Sequence, residues 1–216
     1  MTFASPARSR RALLVLSALG VAALGASAAY AATPSAAAKV GQPAPAFSAT
    51  DARGKPVSLA ALKGKTVVLE WSNHECPFVQ KHYTGAMQAL QKKWTGQGIV
   101  WLTVLSSAPG EQGGVSPTEA NKLSVDRGAA PTDVVMDPKG ELGRLYGART
   151  TPDMYVITPD GTLAYMGAID DKPSTNQADL KTARNYVDEA LVAVTTGKPV
   201  AVSATRSYGC SIKYSS

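Results

Sequence analysis

Cys76 has the surroundings of a chemically reactive side chain. Residues 66–69 are β-branched and apolar, as in a buried strand, and apolar residues recur at helical spacing after Pro77. Proline suits the first position of a helix, so Pro77 predicts that Cys76 is the N-cap. A helix N-terminus carries roughly half a positive charge and free amide groups, which favour a thiolate and lower a cysteine pKa. The sequence therefore predicts a nucleophile at Cys76.

Cys210 is the other cysteine of the chain, in a C-terminal stretch with little pattern. In one interpretation it resolves the reaction: Cys76 attacks an oxidised substrate, and Cys210 then attacks Cys76 and releases the product as an internal disulfide. In the other, the two cysteines form a permanent structural bridge or never meet. The sequence leaves these alternatives open.

The two histidines of the chain, His74 and His82, flank Cys76. A protonated His74 would stabilise a thiolate, and the three side chains together would suit copper or zinc. His82 is expected to point away from the helix N-terminus. We therefore favour histidines at the surface or behind the site, and we expect neither a metal nor another cofactor.

The elements that must position these residues indicate an α/β fold. A Gly-containing turn predicts an N-terminal β-hairpin, and a buried strand, a helix and a second buried strand around Cys76 predict a βαβ unit. The predicted elements are strands at 47–50, 56–59, 66–71, 99–105, 133–136, 154–157 and 162–166, and helices at 77–96, 117–127, 140–146 and 177–195.

The N-terminal residues read as an export signal. Arg8, Arg10 and Arg11 precede an apolar, Ala-rich run that ends in a small-x-small cleavage site at Ala31, and these arginines carry half of the net charge of +6. A periplasmic or secreted location follows, with no membrane contact after cleavage. The alternative, an uncleaved membrane helix, is less favoured because Gly and Ser interrupt the run. The predicted organisation is a signal peptide at 1–31, a flexible leader at 32–39, a domain at 40–198 and a tail at 199–216.

Several segments carry a resemblance to a known family. The strand leading to Cys76 resembles that of thioredoxins, and residues 137–161 resemble the redoxin segment that holds a cis-proline. Residues 73–79, 165–171 and 209–214 are similar to the peroxiredoxin-like group of the alkyl hydroperoxide reductase/thiol-specific antioxidant family. The resemblance implies a thioredoxin-like fold, with a central mixed β-sheet flanked by helices and an N-terminal β-hairpin.

The resemblance also implies roles for single residues. Cys76 matches the nucleophilic cysteine of a thioredoxin Cys-x-x-Cys motif, but Val79 holds the second position, and the peroxidatic Thr-x-x-Cys pattern is absent. Pro152 matches the cis-proline that faces the thiolate, and the backbone edge at Thr151 would pair with an incoming polypeptide and keep metals off the sulfur. Glu70 matches a buried acid that assists proton transfer. Its alternative is a strand residue that reaches solvent or a lysine.

These observations predict an exported thiol-disulfide oxidoreductase or antioxidant redoxin. Cys76, Cys210 and Glu70 are the predicted catalytic residues, and substrate would contact Asn73, His74, Thr151 and Pro152. The expected partners are protein thiols or disulfides, or hydroperoxides, with an unidentified electron donor. No cluster of basic and aromatic residues supports nucleic-acid binding. The alternatives are a peroxide-reducing enzyme that forms a Cys76 sulfenic acid, and a non-enzymatic copper-binding or folding-partner module.

Overall fold

The computed structural model describes residues 1–4 and 37–215. Residues 5–31 of the predicted signal peptide and most of the predicted leader therefore lie outside the described residues. The described residues 37–215 belong to one compact unit. Within the described residues, no helix combines the length and the apolar character needed to cross a membrane.

A seven-stranded mixed β-sheet forms the centre of the fold. In spatial order its strands are β2 (Pro56–Ser58), β1 (Ser48–Asp51), β5 (Asp133–Met136), β4 (Val100–Leu105), β3 (Val67–Trp71), β7 (Asp153–Ile157) and β8 (Leu163–Gly167). Strand β4 is parallel to β3 and β5, and the other pairs are antiparallel. The predicted βαβ unit and the predicted N-terminal β-hairpin are confirmed. The fold is thioredoxin-like, as the resemblance implied.

In the part of the chain that the structure describes, five α-helices lie against the sheet. They are α1 (Pro77–His82), α2 (Ala86–Thr95), α3 (Pro117–Asp126), α4 (Glu141–Tyr146) and α5 (Tyr186–Thr195). A capping box begins α3: the Ser116 side chain accepts from the Glu119 N–H, and the Glu119 carboxylate accepts from the Ser116 N–H. Gly147 ends α4 in the left-handed conformation.

Two predicted helices are shorter than their apolar patterns indicated. The helix predicted from Pro77 to Gly96 is divided into α1 and α2, because Gly85 takes a φ of 132° that no helix contains. The last helix starts at Tyr186 and not at Gln177, because the Asn185 side chain accepts from the Asp188 N–H and caps it there. Gln177–Lys181 form a separate 3-10 helix.

The strand β3 separates two apolar cores, because its alternate side chains enter opposite faces of the sheet. Val67, Leu69 and Trp71 enter one core, whereas Val68 enters the other, which also contains Cys76. Every residue of β3 is buried. Strand β3 therefore leads to Cys76 as a fully buried strand, with an apolar core on each face of the sheet.

The C-terminal tail is an ordered part of this fold. Its strand β9 (Cys210–Ser211) pairs antiparallel with β6 (Thr150–Thr151), a short strand that directly precedes Pro152. Upstream of β9, the Thr205 N–H donates to the Met166 carbonyl, which holds the tail against the edge of β8. The tail thus crosses the molecule from the sheet edge to the region of Cys76, a position that its sequence pattern did not indicate.

Candidate active site

Cys76 lies at the junction between β3 and α1, as predicted. It is the N-cap of α1 with Pro77 at the first helical position, and its side chain is buried. The Cys76 Sγ donates to the Thr151 carbonyl oxygen at 3.1 Å. The bond between Thr151 and Pro152 is cis, as the resemblance implied. The first thiol and the cis-proline segment therefore face each other directly.

Cys210 lies on β9, the tail strand that pairs with the start of the cis-proline segment. Strand pairing sets Cys210 opposite Thr151, and the Thr151 carbonyl oxygen contacts the Cys76 sulfur, so the two cysteines are neighbours across this residue. Both cysteines are free thiols. The structure therefore places the two cysteines beside each other, and a reactive pair and a structural bridge both stay predictions.

The environments of the two thiols set their pKa values in opposite directions. Burial alone would raise the pKa of Cys76, but the nearby Cys210 thiol and Val79 N–H favour the thiolate and bring the pKa below its ordinary value. The Thr151 hydroxyl, which is buried without a partner oxygen or nitrogen among the described residues, adds to this stabilisation. Burial, together with the neighbouring Cys76, raises the pKa of Cys210 to about 12. The pair thus favours a thiolate at Cys76 and a thiol at Cys210.

Asn73 and His74 occupy different places beside Cys76. Asn73 is buried: its side-chain oxygen accepts from the Glu75 N–H at 2.9 Å, and its amide donates to the Gln112 carbonyl at 3.2 Å. The Glu75 carboxylate accepts from the Gly113 N–H at 2.6 Å, so the loop around residue 112 is fixed to the active-site turn. His74 is partly exposed, and among the described contacts none joins its ring to Cys76.

Glu70 is fully buried on the face of β3 that carries the core of Cys76. Its carboxylate accepts four hydrogen bonds, from Trp101 Nε1 at 2.7 Å, Tyr83 Oη at 2.8 Å, Gln91 Nε2 at 3.0 Å and Thr103 Oγ1 at 3.3 Å. Burial raises its pKa, and these donors oppose that effect only in part. The alternative in which Glu70 reaches solvent or a lysine is therefore wrong. In the described residues Glu70 has no hydrogen bond to Cys76.

A buried polar cluster behind the site was missed by the sequence analysis. His82 Nε2 lies 3.2 Å from the Tyr208 hydroxyl and 3.9 Å from Asp170 Oδ2, and burial lowers the His82 pKa to about 4. Tyr208 donates to the Asp170 carboxylate. The family resemblance had singled out residues 165–171 and 209–214 separately, and the hydrogen bond from Tyr208 to Asp170 joins the first segment to the residue just before the second.

A second missed residue is Asp153, which directly follows the cis-proline. It is buried, and its carboxylate accepts from the Arg149 N–H at 3.1 Å. Burial raises its pKa to about 7, although hydrogen bonds from Arg149 and Ser207 lower it in part. A single Asp after a proline gives no signal in a sequence, because only the tertiary fold shows that the strand is buried at that point.

The copper or zinc interpretation joined His74, Cys76 and His82. His82 faces Tyr208 and Asp170, so the three side chains do not converge. Throughout residues 1–4 and 37–215, no group of three or more His, Cys, Asp or Glu side chains is arranged to hold a metal ion.

This combination of features defines a class of protein. A thioredoxin-like sheet, a cysteine at the N-terminus of the first helix and a cis-proline facing that cysteine are the marks of a redoxin. The model of the AhpC/TSA family matches residues 40–166, which is more than half of the chain. The chain belongs to the AhpC/TSA family, as its sequence motifs predicted.

Solved structures give the same fold. An uncharacterized conserved protein from Geobacillus kaustophilus is 26% identical, with 82% of this chain and 93% of that chain covered and a TM-score of 0.70. A hypothetical protein from Sinorhizobium meliloti 1021 is 24% identical, with 84% and 97% covered and a TM-score of 0.68. A protein from Chlorobium tepidum assigned as the thiol:disulfide interchange protein DsbE is 23% identical, with 73% and 99% covered and a TM-score of 0.54. No curated protein sequence matches the chain significantly.

Proposed function

We propose that this protein is an exported thiol-disulfide oxidoreductase whose redox-active pair is Cys76 and Cys210. The observation that supports this most strongly is the pairing of Thr151 with Cys210 across β6 and β9, which holds the second thiol against the first. A resolving thiol at this place would replace the second cysteine of a Cys-x-x-Cys motif, where this chain has Val79. Membership of the AhpC/TSA family also supports thiol chemistry.

In the proposed reaction, the Cys76 thiolate attacks one sulfur of a substrate disulfide. A bond forms between Cys76 and that sulfur, and the other substrate sulfur leaves as a thiolate and takes up a proton. Cys210 then loses its proton and attacks the Cys76 sulfur. This step releases the second substrate thiolate, which is protonated in turn, and forms the Cys76–Cys210 disulfide. Two electrons have passed from the protein to the substrate, and an external dithiol returns them.

The pKa directions support this order of attack. Cys76 reacts first because its pKa is lowered, whereas burial and the nearby Cys76 hold the pKa of Cys210 at about 12. Once Cys76 is part of a mixed disulfide, it no longer carries a negative charge beside Cys210. One of the causes that raise the Cys210 pKa is then removed, so the second thiol becomes easier to ionise only after the first has reacted.

The other site residues are proposed to support this reaction. Thr151 and Pro152 would present their backbone edge to an extended polypeptide that takes the place of β9, so protein thiols and disulfides are the proposed partners. Asn73 would hold the active-site turn through Gln112, and the partly exposed His74 would lie at the rim. Glu70 would transfer protons only through intervening groups, because its hydrogen bonds go to residues other than Cys76.

A trapping experiment tests the proposal. Reduced wild type and Cys210→Ser are mixed with an excess of a peptide disulfide, quenched in acid and weighed intact by mass spectrometry. We expect Cys210→Ser to accumulate a peptide adduct on Cys76, and wild type to end as the internal disulfide with both peptide thiols released. Cys76→Ser is the control and should form neither species. Equal peptide release by Cys210→Ser and wild type, without an adduct, would exclude Cys210 as the resolving thiol.

A peroxide-reducing function is the second candidate, supported by the same two thiols and by the family. Cys76 would pass two electrons to a hydroperoxide, which leaves as alcohol or water, and become a sulfenic acid. Cys210 would then displace water from it and form the same disulfide. Stopped-flow tryptophan fluorescence with hydrogen peroxide distinguishes the two functions. A reaction no faster than that of free cysteine excludes the peroxidase.

A further inference from the structure

Tyr208 lies two residues before Cys210 and packs against α1, the helix whose N-cap is Cys76. Its ring contacts the Phe78 ring, with 5.8 Å between centroids, and the Lys81 Nζ lies 5.4 Å from the Tyr208 centroid. Both contacts come from α1. The residue that precedes the resolving segment is thus packed on the same helix that carries the nucleophile.

The Tyr208 hydroxyl reaches a carboxylate that is almost wholly excluded from water. Asp170 is 3% exposed and accepts the hydrogen bond of Tyr208. A tyrosine hydroxyl can donate one hydrogen bond, and here it donates that bond to the carboxylate. The hydroxyl oxygen is therefore the acceptor in its 3.2 Å contact with His82 Nε2, and the His82 ring is the donor. The low His82 pKa agrees with a neutral ring in this role. A hydrogen bond to a buried carboxylate is among the stronger ones in proteins.

The remaining charged side chain of this cluster is that of Lys81. Lys81 is 1% exposed, its Nζ donates to the Lys172 carbonyl at 2.8 Å, and it lies 3.9 Å from Asp170 Oδ2. Burial of Lys81, His82 and Asp170 together has a large desolvation cost, which is offset only while their mutual contacts are complete. Tyr208 is the member of this cluster that belongs to the tail. The cluster is therefore complete only when the tail is docked.

We propose that Tyr208 is a positioning residue: by docking on Asp170, His82 and α1, it holds Cys210 against Cys76 and keeps Cys76 covered. The proposal deepens the proposed function and rests on it for the role of Cys210. It has a consequence for partners, because an extended polypeptide can reach the Thr151 edge only after the tail has left it. Tyr208 thus controls how fast Cys210 reaches a mixed disulfide on Cys76 and how often a partner can reach Cys76.

The test separates docking of the tail from the chemistry of Cys210. In a Cys210→Ser background, the alkylation rate of Cys76 by iodoacetamide reports how often the tail opens. Tyr208→Phe keeps the aromatic ring and removes only the hydroxyl, and we expect it to raise this rate about tenfold, the size of one lost hydrogen bond to a charged group. Tyr146→Phe is the matched control, because its buried hydroxyl donates to the Pro45 carbonyl, outside the tail, and it should leave the rate unchanged.

The second readout is the rate at which a mixed disulfide on Cys76 is resolved when Cys210 is present. We expect Tyr208→Phe to slow this step and Tyr146→Phe to leave it unchanged. Unchanged alkylation in Tyr208→Phe would overturn the proposal, even if the Cys76–Cys210 disulfide forms normally. If the alkylation rate rises as expected but no protein that contains Cys210 resolves a mixed disulfide on Cys76, the docking role of Tyr208 is supported and the proposed function is wrong. A Tyr208→Phe effect that persists undiminished in Asp170→Asn would also contradict the proposal.

Discussion

The thiol of Cys76 is stabilised as a thiolate by donors that reach it from three segments of the chain: the tail, α1 and the cis-proline segment. The contribution of Cys210 can be isolated, because serine replaces the thiol donor with a hydroxyl donor and alanine removes it. We expect Cys210→Ala to have a higher Cys76 pKa than Cys210→Ser. Each variant has one cysteine, so the ultraviolet absorbance of the thiolate as a function of pH gives this pKa directly. Equal values would show that the Cys210 side chain does not stabilise the thiolate.

Asp153 predicts a dependence of stability on pH. Burial raises its pKa from 3.8 to about 7, so the folded protein retains a proton that the unfolded chain has lost across this range. The contribution of Asp153 to the free energy of unfolding is complete below about pH 4 and is lost as the pH rises through about 7, by at most about 1.4 kcal/mol per pH unit. Asp153→Asn removes this loss.

Urea unfolding of wild type and Asp153→Asn at a series of pH values measures this effect. The difference in stability should grow in favour of the variant between about pH 4 and pH 7 and then level off. The values near pH 4 serve as the internal control, since they report the cost of the substitution itself. A difference that stays constant across the range would show that Asp153 has an ordinary pKa.

Residues whose roles depend on local structure could be predicted from the sequence. Cys76 and Pro77 could be placed at a helix start because N-terminal capping involves only neighbouring residues. Tyr208, Asp170 and Asp153 could not, because their roles depend on contacts between segments far apart in the chain. Cys210 could be predicted in part. Its residue type suggested a resolving thiol, but its position beside Cys76 depends on the path of the tail, which the sequence does not show.

At the scale of elements, the pairing of β6 with β9 depends on one close backbone approach. Gly209 has a φ of 134°, and a Cβ atom at this residue would lie 2.0 Å from the Thr151 carbonyl oxygen. Gly209→Ala should therefore separate β9 from β6. Gly85→Ala is the matched control, since Gly85 has a nearly identical φ of 132° but no atom within 4 Å of the added Cβ. Both variants acquire the same backbone strain, and only the first acquires the clash.

Hydrogen exchange measures the expected separation. In wild type the Ile212 N–H donates to the Arg149 carbonyl at 3.0 Å, so exchange in residues 210–213 reports docking of β9. We expect this segment to lose protection in Gly209→Ala and to keep it in Gly85→Ala, with α5 protected in both. Protection of the segment in Gly209→Ala would mean that the β6–β9 pairing tolerates a side chain, contrary to the structure.

The sheet could be predicted more completely than the helices. Buried strands such as β3 and β4 are continuous apolar runs, which the sequence marks clearly. Helix ends were placed less well, because the apolar spacing continues through the interruption at Gly85 and past the cap at Asn185. In both cases one residue sets the start of a helix while the apolar spacing extends beyond it. Periodicity reports the buried face and not the continuity of the helix.

At the scale of the whole molecule, the N-terminal sequence predicts export. We expect the protein isolated from the periplasm or medium of its host to begin at Ala32, which intact mass spectrometry would detect. The pair Arg10-Arg11 also occurs in signals for twin-arginine export, which depends on both arginines, whereas the general export pathway requires only positive charge. Lysine replacements at both positions therefore distinguish these two export pathways. Recovery of the chain from the membrane with Met1–Ala31 still attached would contradict cleavage.

The central claim is that Cys76 and Cys210 form one reversible redox pair. The most direct measurement is a titration of the full chain in mixtures of reduced and oxidised glutathione, followed by acid trapping and peptide mapping. The account predicts a single two-electron transition whose product is a disulfide between the peptides of Cys76 and Cys210. If the two cysteines instead acquire glutathione independently, or Cys76 oxidises without Cys210, they are not a pair and the proposed mechanism is wrong.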